Sequence, residues 1–398
     1  MALAIAAAST PACADLTGFM QLRQVQRVRS PQACYQLFGC KTMAQEALGE
    51  LLYERRLGDQ LSATARVEAY YDNALSRGNG AIREGFVDWA PTSSIGVKLG
   101  RQVLTWGVSD YLYVNDVFPK NYDAFFTGAG FDRMKEPVDA AKLVVHEKAA
   151  DFEAVVSRRK ADKQPHAERF TAMSMTKGAL AAEHPDDQAD IATKVSAHIQ
   201  GWDVAAYAAS FASREARFSI DATGLRSDLP RTRHLGFSIT GNAAGGLTWL
   251  EGAVRRTEAK GVSVVSRHFL DSAVKFIGGY SRELSADVSI STQLQLEAST
   301  SRDRYTQSLA PGVRPLRSVS STLHLRVQGR WSNQTLTLGA QVFAGDEGDT
   351  HLNPFGSWSP ADGWTVEGGA NLFNGKPDTR YGAFKDDSNV YVLARFSF

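Results

Sequence analysis

Ala286-Asp287-Val288-Ser289-Ile290-Ser291-Thr292-Gln293-Leu294-Gln295-Leu296-Glu297-Ala298-Ser299 alternates apolar and polar side chains along almost its whole length. Successive Cβ atoms of an extended chain point to opposite sides. Ala286, Val288, Ile290, Leu294, Leu296 and Ala298 therefore share one face, and Asp287, Ser289, Ser291, Gln293, Gln295 and Glu297 share the other. The same period returns elsewhere. Leu61, Ala63, Ala65, Val67, Ala69 and Tyr71 oppose Ser62, Thr64, Arg66 and Glu68; Leu323, Leu325 and Val327 oppose His324, Arg326 and Gln328; Leu336, Leu338, Ala340 and Val342 oppose Thr335, Thr337 and Gln341.

Amphipathic strands of this length also build soluble sandwiches, so the connections decide between the two. Tight turns fall near Gly58-Asp59, Pro91-Thr92, Lys148-Ala149, Gln200-Gly201, Ala243-Gly245, Glu283-Leu284, Trp331-Ser332 and Ala361-Asp362. Longer connections fall near 29–43, 74–79, 107–136, 160–189, 223–232, 258–270, 300–316, 346–350 and 374–387, so short and long alternate. The outward register of Trp202, Val204, Ala206, Ala208, Ala212, Ala216, Phe218 and Ile220 reads 202–222 as one long strand. The chain then holds eighteen strands, with sixteen the other count considered. An even number of antiparallel strands with short turns at one end and longer loops at the other is the plan of a transmembrane β-barrel, with periplasmic turns and extracellular loops.

Composition agrees with an all-β, membrane-embedded reading. The 398 residues carry 44 Lys and Arg against 43 Asp and Glu, spread without a basic stripe, which excludes nucleic acid as a partner. Leu3 to Ala8 is apolar, and Ala12-Cys13-Ala14 offers small residues for cleavage, so residues 1–14 read as a secretory signal and 15–398 as the barrel, although no Lys or Arg precedes the apolar run. Beyond Asp15 no stretch approaches the roughly 18 apolar residues of a spanning helix, leaving the closed sheet as the only way across a bilayer. Cys34 and Cys40 would form a small disulfide loop in an oxidising compartment, or remain two free thiols. No CxxCH occurs, and the eight histidines stand outside any zinc or nucleophile spacing. The expectation is no cofactor, no metal site and no enzyme.

Two resemblances sharpen this. Val390, Val392, Ala394, Phe396 and Phe398 alternate with Asn389, Tyr391, Arg395 and Ser397, and this aromatic closing strand resembles the assembly signal of Gram-negative outer-membrane barrels. It implies that Phe396 and Phe398 address the barrel assembly machinery, and that the chain resides in outer-membrane lipid. The run Gly100-Arg101-Gln102-Val103-Leu104-Thr105-Trp106-Gly107, then Asp110, Asn115-Asp116-Val117-Phe118-Pro119 and Lys135-Glu136-Pro137-Val138-Asp139-Ala140 resembles a group of Gram-negative porin-like proteins. That likeness covers about residues 83–145 and implies a pore for small hydrophilic solutes, as a monomer or homotrimer. Some members look like neighbours of multihaem cytochromes, which implies a second reading: a sheath for such a cytochrome in an electron conduit.

A barrel of this strand number is too wide for wall side chains to fill. Its inward positions carry both signs in near balance, Arg66, Lys142 and Arg326 among the cations and Glu68, Glu153 and Glu251 among the anions. Selectivity must then come from a narrowing. The candidate is Gly107 to Glu136, which holds Tyr111, Leu112, Tyr113, Val114, Val117, Phe118, Phe125, Phe126 and Phe131. Aromatic residues at that density favour burial, and the barrel interior is where they can go, with a cap over the rim as the competing placement. Folded inward, the loop presents Asp110, Asp116, Lys120, Asp123, Asp132, Arg133 and Lys135 to the pore. Arg101 places a charge in the apolar register of Ile95, Val97 and Leu99, so a bulge is expected to turn it inward onto Asp110, Asp116 or Asp139.

Overall fold

Amphipathic strands joined by tight turns have one way to satisfy every backbone group without an exposed edge, which is to close on themselves. The computed structural model describes residues 14–29, 41–176, 180–181, 189–222, 224–258, 263–270 and 272–398. The expected signal segment 1–14, apart from Ala14, and both Cys34 and Cys40 lie outside them. Eighteen strands form the wall: β1 Ala14–Arg27, β2 Thr42–Arg56, β3 Leu61–Asp72, β4 Arg77–Thr92, β5 Ile95–Val103, β6 Pro137–His146, β7 Asp151–Ser157, β8 Asp190–Ile199 and β9 Trp202–Ala212. They continue as β10 Arg231–Ala243, β11 Gly246–Thr257, β12 Ser272–Glu283, β13 Val288–Ser299, β14 Val319–Trp331, β15 Leu336–Gly345, β16 Thr350–Trp358, β17 Trp364–Asn374 and β18 Asn389–Ser397.

Each strand pairs antiparallel with its neighbours in the chain, and β1 pairs with β18 from Phe19↔Ser397 to Arg27↔Asn389. The seam is finished by Gly18 and Phe398, whose backbone N–H groups each donate to the other's carbonyl at 2.9 Å. The eight short turns lie at one end, where Gln200 (φ 50) with Gly201 (φ 86), and Ala244 (φ 52) with Gly245 (φ 75), adopt the left-handed conformations that two-residue hairpins require. The turn expected at Pro91-Thr92 falls two residues later, because β4 runs through Thr92.

The two faces separate as the alternation demands. Leu22, Leu235, Val254, Leu294 and Val392 are exposed on the outer wall. Trp89, Trp331, Trp358 and Trp364 stand exposed at the short-turn end, an aromatic girdle at one membrane interface. Inside, cross-strand ion pairs line the wall, such as Glu153 with Lys142 and Lys194, each at 2.8 Å. Two register shifts turn an extra residue inward: Met43 between the Val25↔Ala44 and Gln26↔Thr42 pairs, and Arg83 between Arg66↔Glu84 and Val67↔Ile82. Both are buried.

The structure corrects two sequence expectations. Residues 202–222 are not one strand: β9 ends at Ala212, and Arg217–Asp221 pairs instead with Gly224–Asp228 in a small sheet of the outer loops. Ser263–Val264 and Leu180–Ala181 complete that sheet. The chain leaves the wall at Ser213-Arg214, where the Arg214 guanidinium reaches Asp190 Oδ2 at 2.9 Å and the Val117 carbonyl at 2.7 Å. Alternation is blind to this, because a hairpin in a loop has the same period as a strand in the wall. Arg101 is the second correction. The β5–β6 register runs without a shift through Arg101↔Asp139, so Arg101 stays on the outer face with Val97 and Leu99. It is neutralised there by a bidentate pair with Asp139, Nε to Oδ1 at 2.7 Å and Nη2 to Oδ2 at 3.1 Å. A carboxylate directly across the ladder removes the need for a bulge.

Candidate functional site: a loop plug in the lumen

The connection after β5 enters the barrel and touches its wall on nearly every side. Leu104 and Trp106 start it by packing with Val117, Phe118, Val138, Val155, Tyr207 and Phe211 against β6 to β9. Trp106 and Phe118 meet edge to face at 5.0 Å, and the Trp106 indole N–H donates to Glu153 at 3.3 Å.

From there the chain turns across β10 and β11 around one carboxylate. Glu251 Oε1 accepts the backbone N–H groups of Val108 (2.8 Å) and Ser109 (2.9 Å), and Oε2 accepts the Asn115 backbone N–H (3.0 Å) and side-chain amide (2.8 Å). Gly107, at φ 81, is close enough that a Cβ there would stand 3.1 Å from Glu251. Arg255 reinforces the turn by donating to the Val114 carbonyl at 2.6 Å. Four donors on one buried carboxylate form a charge-assisted anchor.

The tip carries Tyr111, whose hydroxyl accepts from Arg326 Nη1 of β14 at 2.7 Å while its ring lies 5.1 Å from His324 and 5.0 Å from Phe131. A short helix, α1 (Tyr122–Phe126), follows, capped by the Asn121 side chain accepting from Ala124 N–H at 3.0 Å. It drives Phe125 and Phe126 onto Phe343, His351 and Phe373 of the far wall and onto Phe384 of the connection between β17 and β18. His351 lies in β16 and is fully buried. The Phe126 carbonyl accepts from Asn371 and Asn389, each at 3.0 Å, tying the helix to β17 and β18. The return leg is held by Arg83, which donates to the Asp132 and Lys135 carbonyls, and by Arg133, which pairs with Glu50 and Glu68.

A second outer loop lies on the first. Arg169 reaches Glu46 (2.9 Å) and Asp72 (2.8 Å) of the wall and Asp123 (3.7 Å) of the plug. Phe170 packs edge-on against both Phe126 and Phe384, and the Thr171 and Ala172 N–H groups bind Asp387. Tyr122 N–H donates to the Lys163 carbonyl, and Lys163 N–H to that of Lys120.

Of the residues expected at a constriction, only Asp110 lines the large cavity below the plug. Asp132 is exposed at the turn, Lys135 lies over the Phe131 ring at 5.6 Å, and Arg101 and Asp139 are on the outer wall. Asp116 and Lys120 form a buried pair at 2.9 Å, and Asp123 and Arg133 are likewise consumed in holding the plug. Sequence reading gave no special role to Glu251, Arg326 or Arg169, which the fold makes central. Glu251 and Arg326 carried only the signal of inward register, shared with every other wall charge, and Arg169 carried none.

Below the plug, open toward the short-turn end, a cavity of about 840 Å³ is lined by Asp110, Tyr111, Asn242, Arg282, Gln293 and Arg326, among others. A smaller one of about 180 Å³ is bordered by Phe131, Asn353, Glu367 and Tyr391. Tyr111 and Arg326 border both, so their contact forms part of the partition between the two spaces.

Above it, four outer connections are clamped together. Arg267 donates to Glu347 Oε1 (2.8 Å) and Asp378 Oδ2 (3.1 Å), and Arg314 binds the same two carboxylates. Tyr305 donates to the Arg267 carbonyl at 2.7 Å. Neighbouring His268 is held down to about 4 by burial and by the cations Arg380 and Arg267. A histidine neutral in the packed clamp but protonated once released favours release in acid. Packing is therefore at full strength above pH 6.5 and weakens as pH falls toward about 4. A spin label on exposed Arg304→Cys should gain mobility across that window, and His268→Gln should remove the part of the transition above about 4.

No family model and no curated relative matches the sequence. The fold does match solved structures. OccK5 (OpdH) of Pseudomonas aeruginosa superposes with a TM-score of 0.56 at 11% identity, covering 97% of this chain and 98% of that one. OccK11 (OpdR) of the same organism gives 0.55 at 10% identity over 97% and 96% of the two chains. OccAB3 of Acinetobacter baumannii gives 0.55 at 8% identity over 97% and 99%. The chain has the fold of an outer-membrane porin. At these identities the likeness is one of architecture, a closed barrel of eighteen antiparallel strands.

Proposed function

We propose that this protein is an outer-membrane channel for passive passage of small hydrophilic solutes, closed at rest by the loop 104–136. The observation that carries the reading is the cavity of about 840 Å³, lined in part by amides and charged groups, that ends against the Tyr111–Arg326 contact. A hollow lined in part by amides and charges of both signs suits hydrated solutes, and the Tyr111–Arg326 contact is one part of the partition between it and the second cavity. The porin fold of the solved neighbours supports the same class of function.

Planar-bilayer recording tests it. The purified barrel should give discrete, infrequent ohmic steps, and Tyr111→Ala should raise their amplitude about twofold or more by joining the two cavities. No current from either protein would remove the channel reading.

The sheath reading finds less support. A multihaem cytochrome needs a hollow of protein size, whereas much of the lumen here is occupied by the chain's own loops, which carry Phe126 and Phe170 into a cluster with Phe343 of the wall. Haem-stained protein co-purifying with the barrel would revive it.

A further inference from the structure

Arg233 of β10 and Arg256 of β11 face outward from the barrel, side by side. They are Cα partners across the ladder, on the same face as exposed Leu235 and Val254 one outward step deeper. Both arginines are exposed, and neither side chain has a hydrogen-bond or ion-pair partner among the described residues. Around the same rim, Arg158 just beyond β7 donates its backbone N–H to the Asp139 carbonyl at 2.8 Å, beside the Arg101–Asp139 pair, so cations outnumber the carboxylate there. Just above the arginine couple, Arg231 is satisfied by Asp190 and Ser210, and exposed Glu258 ends the row.

Like charges placed directly opposite destabilise a ladder, and an arginine on the lipid face becomes tolerable only near an interface. The pair sits within three residues of the long-loop end of its strands, with apolar wall below. The positions are also local. On the rest of the barrel the outward residues near that end are uncharged: Val274, Val319, Leu352, Val390, Gln26 and Tyr71. A uniform belt of snorkelling cations would not be confined to one side of the wall.

The geometry points to a lipid-binding site on the outer wall, in which Arg233 and Arg256 together hold a phosphate of a phosphorylated outer-leaflet glycolipid while its acyl chains lie over Leu235 and Val254. Two planar guanidinium forks match phosphate oxygens through paired charge-assisted hydrogen bonds. The anion removes the repulsion that the bare pair suffers. Arg158 adds a further cation to the same headgroup layer. The inference rests on residence in the outer membrane and is independent of whether the lumen conducts.

The test is native mass spectrometry of the full-length barrel in detergent, titrated with diphosphoryl lipid A, with the same lipid lacking its phosphates, and with inorganic phosphate. The wild type should retain one diphosphoryl lipid A at least tenfold more tightly than the Arg233→Gln/Arg256→Gln double variant, and added salt should weaken retention. Equal retention by the double variant, equal binding of the phosphate-free lipid, or equal occupancy by inorganic phosphate alone would overturn the site. The variant's folding is read independently from heat-modifiable gel mobility, and its bilayer current should equal the wild type's. Should it not fold, Arg233→Lys/Arg256→Lys takes its place with an intermediate retention expected. Undiminished retention there, together with no salt dependence in the wild type, would equally overturn the proposal.

Discussion

Replacing Glu251 with alanine is expected to convert infrequent openings into sustained current, with the barrel wall intact. The carboxylate holds the Val108, Ser109 and Asn115 backbone N–H groups and the Asn115 amide, and the substitution leaves those donors inside the lumen without their acceptor. Each buried donor left unsatisfied costs about 1–3 kcal/mol, part of which water entering the cavity recovers. A net loss of ~3 kcal/mol shifts the balance between docked and released loop by about 10²-fold. Glu251→Gln should fall between, since its amide nitrogen turns a donor toward donors. Single-channel recording reads the open probability, and hydrogen exchange at 107–116 reads the release. Unchanged current together with unchanged exchange would show that the anchor lies elsewhere.

The second large effect is expected from Arg169→Ala. This guanidinium is the shared partner of Glu46, Asp72 and Asp123, all near the interface between the wall, the plug and the second loop. Removing one member of a buried charge cluster costs about 3–5 kcal/mol, because the carboxylates left behind repel one another in a poorly solvated place. The loop after β7 should leave the lumen, and with the backbone freed from Lys120 and Tyr122 trypsin should cut after Lys160 and Lys163 at least tenfold faster. The wall should melt at nearly the same temperature, since its backbone ladders do not depend on the loop. An Asp123→Ala partner variant separates the contributions: if the two substitutions add without coupling, the contact is incidental.

The wall was readable because one signal, period two, is repeated with turns that alternate short and long. Even the count of eighteen survives the error at 202–222, since only Trp202–Ala212 enters the barrel and the remainder forms a loop hairpin. The inward course of the loop was also legible as the favoured one of two placements, because Tyr111, Phe118, Phe125 and Phe126 call for burial and the lumen offers more of it than a cap over the rim. Its attachment points were not. Glu251 lies far along the chain from Asn115, and Asn371 and Asn389 far from Phe126. Nothing local marks Glu251 apart from Glu153 or Glu297, which pair with lysines of neighbouring strands. The same blindness misplaced Arg101: its pairing with Asp139 was among the options, but the side of the wall was decided by an unbroken register rather than by charge.

The meeting of β1 with β18 sets the order in which such a barrel can be completed. Every other pairing in the wall joins strands that follow one another in it along the chain, whereas this one waits until both extremes of the described chain are present. Until then two unsatisfied ribbons face lipid, each a template for adhesion to a foreign strand. Whatever chaperones insertion must therefore shield these two flanks longest, and a truncated copy missing either flank would remain an open, sticky sheet instead of a leaky cylinder.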